Sequence, residues 1–254
     1  MRLMLTRWLG HVRRHPLAGA VEVALSWEFA IVGSAKLLPV LDTAWFPGLG
    51  SVAVNLIATG VMLVILRSWG WLRPAGVTAW GRFARWPVVL PLFFVAALSA
   101  LPGIEGSATQ LVTGAAVMLC VGISEEISSR ALVLEVARPL GLLRASALTA
   151  VLFGAGHLKN YLFFGASLNN TLWQMLSAGL FGFCLCAARL AIGTVWPLVL
   201  LHALSDYLQI YSPGKDPDWL WTLNAIVNLG LGAALLRWAR NAPAAESAST
   251  AAAN

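Results

Sequence analysis

The sequence predicts an all-α, polytopic membrane protein of about eight transmembrane helices with an active site inside the bilayer. Three observations predict it. Of 254 residues, only 17 are Lys or Arg and 11 are Asp or Glu, so 11% of the chain is charged against 59% apolar. A soluble domain usually carries about 25% charge, and a soluble globule of this length could not stay dispersed on less than half of that. Apolar runs approaching the roughly 20 residues that a helical span needs recur along the chain. The basic residues are scattered between those runs, as topology signals are.

The same composition excludes other classes. Disorder needs low hydrophobicity and high charge. Three thiols in apolar runs, Cys120, Cys184 and Cys186, do not make a disulfide framework. Cys184 and Cys186 have no further His or Cys partner nearby and read as core packing. The net charge of +6 is not gathered into a basic patch on a soluble face, so nucleic acid is not an expected partner.

Taken in order, residues 1–16 (MRLMLTRWLGHVRRHP) read as a basic, partly amphipathic lead-in on the cytoplasmic side. No small-residue cleavage site follows an apolar core of the right length, so it is a poor secretion signal. Spans are expected near 17–39, 49–66, 86–101, 109–137, 143–160, 168–188, 192–211 and 219–236. The first is interrupted by Glu22, Glu28 and Lys36, which pair with one another or line a path inwards. The fourth is longer than a bilayer needs and should tilt or protrude. Glu135, near its cytoplasmic end, reads as solvated or snorkelling. The twelve tryptophans fall mostly at span ends, as an interfacial belt would. Residues 241–254 form a small-residue tail expected to be disordered.

Cytoplasmic loops carry the excess of Lys and Arg. With the N-terminus inside, thirteen basic residues fall on the inside: Arg2, Arg7, Arg13 and Arg14; Arg67, Arg73, Arg82 and Arg85; Arg138 and Arg144; Arg189; Arg237 and Arg240. Outside loops hold Lys159 and Lys215, while Lys36 and Arg130 fall within spans. This split predicts an integral cell-membrane protein with both termini cytoplasmic.

Ionisable groups at membrane depth cost a few kcal/mol or more each, so they point to function by default. Most of them fall in three helices: Glu125, Glu126 and Arg130 in the fourth span, His157 in the fifth, His202 and Asp206 in the seventh. Glu126 and Arg130 are four apart, share a helix face and can pair in the favourable order. That leaves Glu125 without a partner on its own helix. His202 and Asp206 share a face in the same way. Gly154 and Gly156 allow close helix approach beside His157. Glu125, His157 and His202 each lie thirteen residues from a basic flank residue, Arg138, Arg144 or Arg189. At 1.5 Å per residue that is about 20 Å of helix in every case, which puts a carboxylate and two imidazoles at one level. Taken singly, the Glu–Arg pair reads as a structural staple and each histidine as a partner for a neighbouring carbonyl.

Glu125 with His157 can hold and deprotonate a water. His202 can donate to the oxyanion of a tetrahedral intermediate, with Asp206 setting its tautomer and orientation. No Ser or Cys nucleophile is needed. One Glu, two His and one Asp are also acceptable zinc ligands, although no HExxH pair is present. The residues alone leave glutamate-held and metal-held water both open.

The ordered motifs Glu125-Glu126-x-x-x-Arg130, Phe153-x-x-x-His157 and His202-x-x-x-Asp206 resemble those of the CAAX protease and bacteriocin-processing (CPBP, or ABI) family of intramembrane endopeptidases. Gly193-Thr194-Val195-Trp196-Pro197 leading into His202 fits the same pattern. One departure is Asp206, where Asn is the commoner choice. The resemblance covers a catalytic core at 109–211, flanked by variable N-terminal transmembrane helices at 17–108 and a last transmembrane segment at 212–240. It implies a glutamate-dependent protease needing no cofactor and no metal. Glu125 and His157 would activate water, His202 and Asp206 would form the oxyanion side, and Glu126 and Arg130 would shape the site. The expected partners are a membrane-associated protein or peptide substrate and the lipid bilayer. Prenylated substrates are not carried over, because the composition reads as prokaryotic. Three other functions use such residues: a non-proteolytic scaffold or bacteriocin-immunity protein, a zinc-dependent intramembrane metalloprotease, and a proton-coupled transporter.

Overall fold

A computed structural model describes residues 2–38, 41, 43–214 and 217–241. Among these residues the regular structure is helical, with no strand. Five helical stretches are long and apolar enough to cross a bilayer: Pro16–Leu37, Leu49–Ser68, Ala108–Leu140, Leu168–Ile192 and Asp218–Asn241. The chain is a multi-pass membrane protein.

A basic helix, α1 (Arg2–Arg14), precedes α2 (Pro16–Leu37) and packs back on it. Trp8 Nε1 donates to Glu22 Oε2 at 2.7 Å, and His11 Nε2 lies 2.9 Å from Glu22 Oε1. Trp69 Nε1, at the end of α3 (Leu49–Ser68), donates to the Leu5 carbonyl at 2.9 Å. Glu22, Glu28 and Lys36 therefore do not pair with one another. Glu28 meets Lys159, and Lys36 Nζ donates to the Phe163 carbonyl at 2.9 Å.

Three of the eight expected spans fall outside the five long helices. The third is a 3₁₀ segment, Phe83–Val89, running into α4 (Leu90–Leu98). Pro87 and Pro91 lack the N–H that a regular α-helix would use there. The fifth is α7 (Leu142–Gly156), which stops at His157 and restarts as α8 (Leu158–Phe164). The seventh is α10 (Trp196–Tyr211), because α9 (Leu168–Ile192) runs on to Ile192 before Gly193, at φ 84°, ends it.

That extension also moves Arg189 out of the solvated flank assigned to it. Its side chain is buried, and it donates from Nε to the Ala75 carbonyl at 3.2 Å and from Nη2 to the Pro74 carbonyl at 2.8 Å. Gly76, at φ 71°, lies against it, and a Cβ there would come within 2.8 Å of the guanidinium. This loop is thereby bound to the α9–α10 turn.

The longest element runs unbroken from Ala108 to Leu140. A capping box starts it: the Ser107 hydroxyl accepts from Gln110 N–H, and Gln110 Oε1 accepts from Ser107 N–H at 2.9 Å. It comprises α5 (Ala108–Glu126), a π-helical stretch (Ile127–Val133), α6 (Leu134–Ala137) and a 3₁₀ turn (Arg138–Leu140), stopped by Gly141 at φ 93°. At 33 residues it is roughly 50 Å long, so it exceeds a bilayer core as expected. Glu135 at its far end pairs with Arg138 at 3.0 Å. α5 packs on α10, α7 on α9, and α9 on α11 (Asp218–Asn241). Cys184 and Cys186 are fully buried in these contacts. Lys215 and residues 242–254, including nearly all of the expected tail, lie outside the described residues.

Candidate active site

The π-helical stretch lies next to both glutamates. Such stretches interrupt an α-helix at a cost and occur frequently at functional sites. All seven of its residues are buried, Arg130 among them. Arg130 Nη1 lies 2.9 Å from Glu126 Oε1, and both side chains are fully withdrawn from solvent. The guanidinium also stacks over the Phe153 ring, 4.1 Å from its centroid.

The Glu126 oxygen that receives Arg130 also receives His202, whose Nδ1 donates to it at 2.7 Å. His202 Nε2 faces the other way, 3.3 Å from Glu125 Oε2 and 3.5 Å from Asp206 Oδ2. The sequence reading made Asp206 the group that orients His202. The closer contact is with Glu126, on the other nitrogen, because adjacent residues Glu125 and Glu126 straddle the imidazole from the facing helix. Phe181 on α9 meets the same ring edge to face at 5.6 Å.

His157 ends α7. Its Nδ1 donates to the Phe153 carbonyl at 3.0 Å, which leaves Nε2 free for other work. The Phe153 ring stands between the two histidines, 5.3 Å from His157 and 5.8 Å from His202. No hydrogen bond joins Glu125 to His157 among the described residues. Gly154 and Gly156 provide the close approaches expected of them. A Cβ on Gly154 would come within 2.5 Å of the Met175 carbonyl on α9, and one on Gly156 would run into the Glu28 carboxylate.

Two contributions come from α2 and were not read from the sequence. Trp27 Nε1 donates to Ser124 Oγ, beside Glu125, at 3.0 Å. Glu28 pairs with Lys159 at 3.2 Å. Trp27 was identifiable as a tryptophan placed mid-span rather than at a span end. Lys159 was assigned to an outside loop, and nothing in an apolar periodicity would have linked it to Glu28. Phe181 carries no signal that separates it from the other phenylalanines. Among the described residues, no three His, Cys, Asp or Glu side chains are gathered as a metal ion would need.

Residues 107–208, which contain every one of these groups except Trp27 and Glu28, match the family described as type II CAAX prenyl endopeptidase Rce1-like. Over this segment the chain is similar to the Rce1-like family. The match agrees with the CPBP resemblance. The family's description is that of a peptide-bond hydrolase, and residues 107–208 are similar to it. No curated protein and no solved structure gives a match.

Proposed function

We propose that the chain is an intramembrane endopeptidase of the cell membrane that hydrolyses a peptide bond of a membrane-associated protein or peptide with water as the nucleophile. The carrying observation is that the segment similar to the Rce1-like family gathers Glu125, Glu126 and Asp206 around His202 inside apolar helices.

In this reading Glu125 and His157 Nε2 hold the water, and Glu125 accepts its proton as the oxygen attacks the carbonyl carbon. His202 can donate to the oxyanion only through Nε2, because Glu126 occupies Nδ1. As an imidazolium it carries a proton on both nitrogens. Asp206, beside Nε2, lines the oxyanion side. Glu125 then passes its proton to the leaving amine, which closes the cycle without a covalent intermediate. Arg130 and Glu126 keep the assembly in register. The three shorter helices complete eight spans, with both termini cytoplasmic.

The test compares peptides in membranes from cells carrying wild type with those from cells carrying Glu125→Gln. Products present only with wild type identify the reaction and its substrate. A farnesylated CAAX peptide serves as a separate arm, to ask whether the substrate named in the family's description is taken. Equal peptide sets in the two strains, with the variant folded, would defeat the proposal.

A further inference from the structure

One ion pair at the site has a member that lies outside the Rce1-like segment. Glu28 on α2 brackets Lys159 Nζ, with Oε2 at 3.2 Å and Oε1 at 3.4 Å. Only 20% of the Glu28 side chain and 13% of the Lys159 side chain are exposed. Lys159 also donates to the Gly156 carbonyl at 3.3 Å, and its ammonium stands 4.7 Å from the Trp27 ring centroid.

The Gly156 carbonyl is one of the last of α7, with no regular helical partner beyond the break. Such carbonyls must be satisfied by a side chain, a turn or water, and a lysine near a helix end is a suitable donor. Lys159 therefore caps α7, and the partly buried carboxylate of Glu28 holds it there. His157 lies between the capped carbonyl and the capping lysine in the chain, and its ring is anchored one turn back at Phe153. Where α7 ends thus decides where His157 Nε2 points. Trp27, next to Glu28, ties α2 to Ser124 beside Glu125. Neighbouring residues of α2 thereby touch the glutamate side and the histidine side of the site.

We propose that Glu28 is a positioning residue: through Lys159 it fixes the end of α7 and hence the direction of His157 relative to Glu125. This rests on the endopeptidase reading above, so the experiment separates the two.

The protein is held in lipid nanodiscs, with a peptide identified by the Glu125→Gln comparison as substrate. Glu28→Gln is expected to lower kcat about ten- to a hundredfold, the scale of a small misplacement of a catalytic group, with KM and Tm little changed. Glu28→Asp restores part of the loss. The double variant Glu28→Gln/Lys159→Gln is no slower than the slower single variant, since both act through one contact. A Glu28→Gln kcat within about twofold of wild type, or multiplicative losses in the double variant, overturns the proposal. If Glu28→Gln does not fold, Gly156→Ala replaces it, because it displaces the carboxylate without removing it. The same kcat loss is expected, and a wild-type kcat overturns the proposal. A second readout needs no activity: the rate of diethylpyrocarbonate modification of His157, followed by peptide mass spectrometry with His15 as reference. Glu28→Gln changes that rate at His157 and not at the reference, and an unchanged rate at His157 overturns the positioning role. Full activity in Glu125→Gln would instead sink the endopeptidase reading and leave the modification result to judge Glu28.

Discussion

His202 Nδ1 donates to Glu126 Oε1 at 2.7 Å, and that bond crosses from α10 to the end of α5. Because the same oxygen also receives Arg130, one buried carboxylate sets both the orientation of the His202 ring and the place of Arg130. Glu126→Gln replaces one carboxylate oxygen with an NH₂ donor and weakens that control. The expected loss in kcat is roughly 10²- to 10⁴-fold, the range for an acid–base group put out of place, read on the folded fraction because Arg130 is left uncompensated and Tm falls as well. Initial rates on the identified peptide measure it. A variant within a few-fold of wild type would remove Glu126 from the catalytic arrangement.

Asp206 should tolerate one substitution and not another. It lies 3.5 Å from His202 Nε2 and is partly exposed, unlike Glu126. Asp206→Asn keeps the shape and adds an N–H that can donate to an oxyanion, so activity should stay within about one power of ten. Asp206→Ala keeps neither and should fall further. Equal rates for both would show that the side chain does not touch the reacting carbonyl.

Arg130 is a stability residue first. Removing one member of a buried ion pair leaves the other uncompensated, at a cost of about 3–5 kcal/mol. Arg130→Met should therefore unfold at lower temperature or fail to accumulate. Arg130→Lys keeps the charge but loses the planar stack on Phe153, so it should fall between the two. Thermal unfolding followed by fluorescence in detergent orders the three proteins.

Gly154 tests the α7–α9 crossing separately from the chemistry. A Cβ there would press on the Met175 carbonyl at 2.5 Å. Gly154→Ala should destabilise by about 1–3 kcal/mol as the helices move apart. Gly33 on α2 has open space around it and is the control, since Gly33→Ala meets nothing.

Metal dependence has a direct readout. In the glutamate-held water reading, cleavage survives a strong chelator and the purified protein carries no stoichiometric zinc. Activity lost to chelation and restored by zinc would instead favour metal-held water, with Glu125, His202 and Asp206 as its nearest donors.

The helices were readable because length and apolarity are local properties. All eight apolar runs form helices close to their expected positions, and five have the length to span. What the runs could not show is where a helix breaks within apolar sequence. The stop at His157 lies beside Lys159 and Glu28, which meet only after α2 docks. The π-helical stretch is invisible for the same reason, since Ile127–Val133 has the composition of an ordinary helix. Within the site, four-residue spacing gave the Glu126–Arg130 pair because both lie on one helix. It could not say which carboxylate meets which nitrogen of His202, because that is set by how α5 faces α10.

The contact between Trp27 and Ser124 has a practical consequence. The reactive groups reside in one segment, yet the wall against Ser124 and the pair to Lys159 are supplied by a helix roughly eighty residues earlier. A fragment starting at Ser107 would keep every group of the proposed chemistry and lose the surface that closes it.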